Sequence, residues 1–252
     1  MSQYLMSNRR RLTIWRAPVI AIAAAVSLAA LAVDESRPAS GGGRMIVAES
    51  RFDVTNPAQQ AQLVQLVVDF PPGAWTSWHT HGGQAINLVL EGEITLRHAG
   101  KEHLYRAGQA WTDSSREVHA AGNAGSGKAR LLTNFLLPPG APQTTAVQES
   151  PFEPTIVSAA SFPLSALPPE TQIVQQVIDL SAGWHTRDAL AGLTANMTIR
   201  GEVTYKIGSE LKVYKAGDAW SAPAGTPVEE ENSSAGTARV FRTSLLPKAG
   251  GR

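Results

Sequence analysis

The sequence predicts an all-β fold of two tandem small barrels, and three observations predict it. The chain repeats itself after the N-terminal region. Each repeat is a series of short apolar or alternating segments divided by turn signals. No segment of either repeat carries an amphipathic helical period longer than two or three turns.

The repeat rests on many landmarks at one offset. Tyr105-Arg-Ala-Gly-Gln-Ala-Trp111 recurs as Tyr214-Lys-Ala-Gly-Asp-Ala-Trp220. Glu91-Gly-Glu-Ile-Thr95 recurs as Arg200-Gly-Glu-Val-Thr204, Asn123 as Asn232, Arg130 as Arg239, and Leu136-Leu-Pro138 as Leu245-Leu-Pro247. All share an offset of 109 residues, whereas Val67-Val-Asp69 and Val177-Ile-Asp179 lie 110 apart. The second repeat has therefore lost one residue between those landmarks. Matches at so long an offset indicate a duplicated domain and not a short-period solenoid.

Residues 1–33 read as a signal peptide or membrane anchor. Arg9, Arg10, Arg11 and Arg16 precede an uncharged run from Ala17 to Val33. Ala30-Leu31-Ala32 has the small-x-small form of a cleavage site. The run is long for a signal and short for a span of about 17–25 residues. Asn8-Arg9-Arg10-Arg11-Leu12 weakly resembles a twin-arginine signal. The body is expected to be exported, periplasmic or extracellular, with membrane contact only through this segment. Residues 34–46 form a polar, Gly-rich linker, flexible by composition. The first barrel is placed at 47–142 and the second at 155–248, divided by a Thr-, Pro- and Ser-rich stretch.

Within the first repeat, Leu63 to Phe70 reads as a strand closed by Pro71-Pro72-Gly73. Ala85 to Leu90 is apolar and ends at Glu91-Gly92-Glu93. Ile94 to Leu96 alternates with polar neighbours, Ala99-Gly100-Lys101 reverses the chain, and Arg130 to Leu137 is again apolar. About 100 residues per repeat suit one small barrel each.

Composition removes several functions. A net charge of +1 gives no electrostatic case for nucleic acid. The chain has no cysteine, which excludes thiolate catalysis, Cys-ligated zinc, disulfides and a Cys lipid anchor. Ser77 and Ser115 belong to no Asp–His–Ser arrangement that the sequence supports. His98 and His103 flank a turn and should face each other, exposed, across a hairpin. Trp111 and Trp220 occupy equivalent positions and suit core packing.

His79, His81 and His119 are the candidate metal ligands. Residues two apart on a strand share a face, so His79 and His81 can reach one ion. Neutral imidazoles suit first-row transition metals.

These residues carry a resemblance to the cupin superfamily, whose first motif is G-x5-H-x-H-x3-E-x6-G. The chain reads Gly73, His79, His81, Ala85 and Gly92 at those spacings, with Ala in place of Glu. The second motif, G-x5-P-x-G-x2-H-x3-N, is met by Gly108, Ser114, Arg116, His119 and Asn123, with Pro and Gly replaced. The resemblance covers residues 50–248. It implies two jelly-roll barrels and one divalent transition metal (Fe, Mn, Ni, Cu or Zn) on His79, His81 and His119. The missing Glu leaves the fourth position to water first, Gln84 second and Glu117 third. Asn87, two beyond Ala85, is the candidate substrate-contacting residue. The second repeat has Asp188, Leu190 and Val228 at the three histidine positions, and so has lost the metal site.

The resemblance further implies a metalloprotein acting on a small organic molecule, leaning to dioxygenase-type oxidoreductase chemistry. A metal-dependent isomerase, decarboxylase or lyase is the related alternative, and a non-enzymatic metal- or small-ligand-binding bicupin the different one. The expected partner is a small-molecule ligand or substrate, with homo-oligomerisation left open.

Overall fold

The computed structural model describes residues 43–55, 57–58, 60–165 and 167–248. Residues 1–33 and most of the 34–46 linker lie outside the described residues. The described chain is all strand and turn. The first repeat contains β1 (Arg44–Thr55), β2 (Gln60–Phe70), β3 (Trp78–Thr80), β4 (Gln84–Glu91), β5 (Glu93–His98), β6 (Lys101–Arg106), β7 (Ala110–Asp113), β8 (His119–Gly122), β9 (Ala129–Leu137) and β10 (Thr145–Gln148). The second contains β11 (Thr155–Ser165), β12 (Glu170–Leu180), β13 (His185–Ala189), β14 (Leu193–Arg200), β15 (Glu202–Ile207), β16 (Glu210–Lys215), β17 (Ala219–Ala222), β18 (Pro227–Asn232) and β19 (Ala238–Pro247).

Each barrel is two facing antiparallel sheets, as a jelly roll requires. The first pairs β11-β2-β9-β4-β7 with β10-β3-β8-β5-β6, and the second pairs β1-β12-β19-β14-β17 with β13-β18-β15-β16. The orders show an exchange of strands. β1 adds to the second barrel through β12, with Phe52 opposite Ile173. β11 adds to the first through β2, with Phe162 opposite Leu63. The division at 47–142 and 155–248 follows the repeat in sequence, but in space the first strand of each repeat completes the other barrel. The linker boundary also moves, since Arg44 to Ile46 already belong to β1.

The β11-β2-β9-β4-β7 and β1-β12-β19-β14-β17 sheets pack back to back, which explains the continuous apolar runs. On β9, Leu131, Phe135 and Leu137 face the first barrel's interior. The alternate residues Leu132 and Leu136 pack between the barrels with Phe241 and Leu245 of β19. A strand buried on both faces has no polar alternation to show. Hairpin β5–β6 lies at the sheet's far side, and β6 is exposed along most of its length.

Repeated polar residues lock equivalent places. Arg130 makes a bidentate pair with Asp69, directly opposite it on β2, at 2.5 and 2.9 Å. Arg239 repeats this with Asp179 at 2.7 and 2.8 Å. Asn123 Nδ2 donates to the Phe70 and Gly127 carbonyls while its Oδ1 accepts from the Gly125 amide. Asn232 does the same with Leu180, Gly236 and Ser234. The motif asparagine is therefore a turn lock in both barrels. The backbone amides of Asn123 and Asn232 donate to the carbonyls of Ala74 and Trp184, which aligns those two residues. His79 and Asp188 then align as the partners of His119 and Val228. The residue missing from the second repeat thus falls between Trp184 and Asp188, inside the segment that would deliver the histidines.

Candidate metal centre

Strands β3 and β8 pair His79 directly with His119. His81 follows β3 by one residue, on the same side as His79. Gly82 and Gly83 then let the chain pass close to two carbonyls: a Cβ at Gly82 would strike the Pro142 oxygen, and one at Gly83 the Leu136 oxygen. The three rings are buried and their centroids lie 4.5–4.8 Å apart.

Each ring is fixed by a backbone carbonyl. His79 Nδ1 meets Ser77 O at 2.6 Å, His81 Nδ1 meets Gln143 O at 3.0 Å, and His119 Nδ1 meets Glu117 O at 2.9 Å. A carbonyl only accepts, so each Nδ1 carries a hydrogen, and Nε2 is left as the nitrogen of each ring that can ligate. His81 Nε2 and His119 Nε2 face each other at 3.0 Å. Two ring nitrogens that close need a cation, a proton or a metal ion, between them. The set fits a divalent transition ion, because adjacent nitrogens bonded at about 2.0–2.1 Å lie roughly 3 Å apart. Burial holds His79 below the ordinary imidazole range. Burial, then the neighbouring histidines, pushes His81 down to about 3. Both rings are thus neutral ligands at neutral pH.

Neither protein side chain expected at the fourth position is placed at the histidines. Gln84 precedes Ala85 on β4, so alternation sends its side chain to the opposite face, the one Ile86 buries between the barrels. Glu117 lies in the turn before β8, where strand alternation does not hold. Its carboxylate pairs with His98 Nδ1 at 2.5 Å on the outer side. Neither belongs among the three nitrogens. The residue the sequence reading missed is Asp113, on β7. It is buried, and its Oδ2 lies 3.5 Å from His119 Nε2. Asn87 Nδ2 donates to that oxygen at 2.8 Å, and Trp111 Nε1 lies 3.1 Å from both oxygens. Thr133 Oγ1 donates to Asn87 Oδ1 at 2.8 Å and fixes the amide's direction. Burial raises the Asp113 carboxyl, with His119 opposing. Asn87 lines the cavity as expected, but both ends of its amide are engaged. Trp111 is buried and stacked on Tyr105 at 4.4 Å, and it also binds the carboxylate.

The three histidines, Asp113 and Asn87 line one cavity of about 360 Å³. Its walls are mainly apolar, including Leu66, Phe70, Leu131 and Phe135, and among the described residues no lysine or arginine lines it. Glu149 and Glu153 line it where the chain leaves β10, and both reach Ser77 Oγ, at 3.1 and 2.6 Å.

The second barrel fills the equivalent space differently. Arg242, at the position of Thr133, forms a buried bidentate pair with Glu230 at 2.8 and 2.7 Å. Its Nε donates to Asn196 Oδ1 at 2.7 Å. Burial opposes the Arg242 charge, but Glu230 outweighs it and its pKa is raised. Asp188 and His185 lie exposed on β13, and no metal-competent histidine group occurs there among the described residues. The signal for Asp113 was present in this comparison, since its counterpart is Ala222. An inward acid lost together with the three histidines marks it as part of their site.

Residues 66–135 match a family model described as a cupin domain. No curated protein matches the chain. Among solved structures, AerE from Microcystis aeruginosa aligns with a TM-score of 0.53 at 15% identity, covering 79% of this chain and 93% of that one. Vicilin from Solanum melongena gives 0.58 at 9% identity, with 82% and 83% covered. A mutant oxalate decarboxylase from Bacillus subtilis gives 0.56 at 11%, with 84% and 77% covered. These likenesses are of fold.

Proposed function

We propose that this chain is a cupin of the two-barrel kind and that its first barrel is a metal-dependent enzyme site for a small, uncharged, largely apolar organic molecule. The observation that carries the proposal is the convergence of three buried imidazoles on the wall of a mainly apolar cavity. A divalent ion held there would supply Lewis acidity and an open position for an oxygen donor.

The lining argues the substrate class. An anionic ligand would find no cationic side chain in the cavity and two glutamates along its edge. The solved vicilin is described as holding anionic ligands in its pockets; this cavity is built for a neutral one. Oxidation of such a molecule with O2, of the dioxygenase type, is the reaction we put first, because imidazole ligands suit iron, copper and nickel and a set of this size leaves positions open. We place the protein outside the cytoplasm on the reading of residues 1–33, checked by fractionating expressing cells.

The test is oxygen consumption by the iron-, copper-, nickel- or manganese-loaded chain with a panel of neutral and anionic aromatic compounds. Uptake with a neutral compound, absent in the His79→Ala/His81→Ala/His119→Ala variant, is the expected result. Tight, saturable binding of a neutral compound without turnover under any of these metals would instead make the chain a ligand-binding bicupin.

A further inference from the structure

We propose that Asp113 is the fourth protein ligand of the metal, a carboxylate moved one strand sideways from its place in the family motif. The proposal rests on the metal reading of the three histidines and goes beyond it.

The strand register makes the argument. The motif's Glu position is Ala85 on β4, and the residue directly opposite Ala85 on β7 is Asp113. Opposed residues on an antiparallel pair have Cβ atoms about 4.5–5.5 Å apart and project to the same side. A carboxylate on either residue therefore enters the barrel at one place. Ala85 is wholly buried and has no polar atom to offer. Asp113 Oδ2 lies 3.5 Å from His119 Nε2, the ring nitrogen not engaged by the Glu117 carbonyl. At that distance the carboxylate oxygen and the ring nitrogen are placed as two ligands of one cation are.

The carboxylate is also held ready. Trp111 and Asn87 donate to it, and Thr133 orients Asn87. Metal-ligating carboxylates are oriented by such hydrogen bonds. The second barrel supplies a comparison within the molecule. There, Ala222 replaces Asp113 and the histidines are gone. Without Asp113, Trp111 Nε1 would lose the acceptor it has in the first barrel.

The experiment is a Co²⁺ titration of the full chain, against a competing chelator, with the visible d–d spectrum recorded at each step. Wild type is compared with Asp113→Asn, Asp113→Glu and the double variant Ala85→Glu/Asp113→Ala. The expected result in Asp113→Asn is a loss of affinity beyond the roughly 10–100-fold that removal of a ligand's hydrogen-bonding partner costs, with a changed spectrum. The double variant, which returns the carboxylate to the motif position, should regain most of that affinity. A supporting residue outside the metal's shell would not be rescued from across the rung. If Asp113→Asn does not fold by circular dichroism, the double variant and Asp113→Glu decide alone. Wild-type affinity and an unchanged spectrum in Asp113→Asn, or a folded double variant without recovery, overturn the proposal while leaving the three-histidine site standing. Failure of wild type itself to bind Co²⁺ overturns both.

Discussion

Asn123 and Asn232 each hold three backbone groups with one amide, buried at the same turn in both barrels. Replacing either with Ala leaves buried polar groups unpaired, at about 1–3 kcal/mol for each such group. Urea unfolding should show a loss of that order for Asn123→Ala, with metal stoichiometry unchanged. Arg242 is a harsher case, because Arg242→Met strands the Glu230 carboxylate in the second barrel. The expected loss is about 3–5 kcal/mol, and Glu230→Leu/Arg242→Met should recover most of it, since an apolar pair of similar volume is often neutral. At the surface, Arg130, then Lys128, hold the Asp69 carboxyl below its ordinary range. A depressed folded-state pKa contributes stability that is present above the unfolded value of about 3.9 and is lost as pH falls through the folded one. Asp69→Asn should therefore flatten the acid limb of a stability–pH curve below about pH 4. His79 and His81 were legible from their spacing, because a strand puts alternate residues on one face, and His119 was joined to them by the resemblance to the second family motif. Asp113 was not, because its role depends on which residue of β4 it opposes, and no local motif records cross-strand register.

Among elements, β1 and β11 show where local patterning stops. Both are long strands with a register shift at equivalent places, between Ile46 and Ala48 and between Ile156 and Ser158. A strand with this pattern fits the open edge of β2 or of β12 equally well, so the repeat identifies two barrels without saying that they exchange their first strands. The exchange has a consequence for stability. Phe52 lies in the first repeat but is buried against the second barrel's sheet and the packing between the barrels. Phe52→Ala should cost about 3–5 kcal/mol, and hydrogen exchange should rise first along β12 and not along β2. Loss of protection confined to β2 would mean that β1 pairs within its own barrel. The apolar runs of β2 and β9 were legible as strands, and their missing alternation is now explained by burial on both faces.

At the scale of the whole molecule, the duplication has produced two barrels with opposite solutions to one problem. Each encloses polar groups that cannot remain unpaired in a low-dielectric interior. In the first, three histidines and the Asp113 carboxylate line one cavity, and the histidines could hold a cation; in the second, Arg242 closes on Glu230 and Asn196. Duplicated fold and metal-site loss were both readable from the 109-residue offset. The replacement ion pair was not, because Glu230 and Arg242 are 12 residues apart and meet only inside the barrel. A ligand that binds only the folded state raises its melting temperature with concentration. Added divalent metal should accordingly raise the melting temperature of wild type and leave the triple-histidine variant unmoved. The most direct measurement is the number of metal ions bound per chain, by mass spectrometry of metal-replete protein, in wild type and in the His79→Ala/His81→Ala/His119→Ala variant. One ion per wild-type chain and none in the variant is the expected result. No ion in either protein, or the same occupancy in both, would contradict a metal centre in the first barrel.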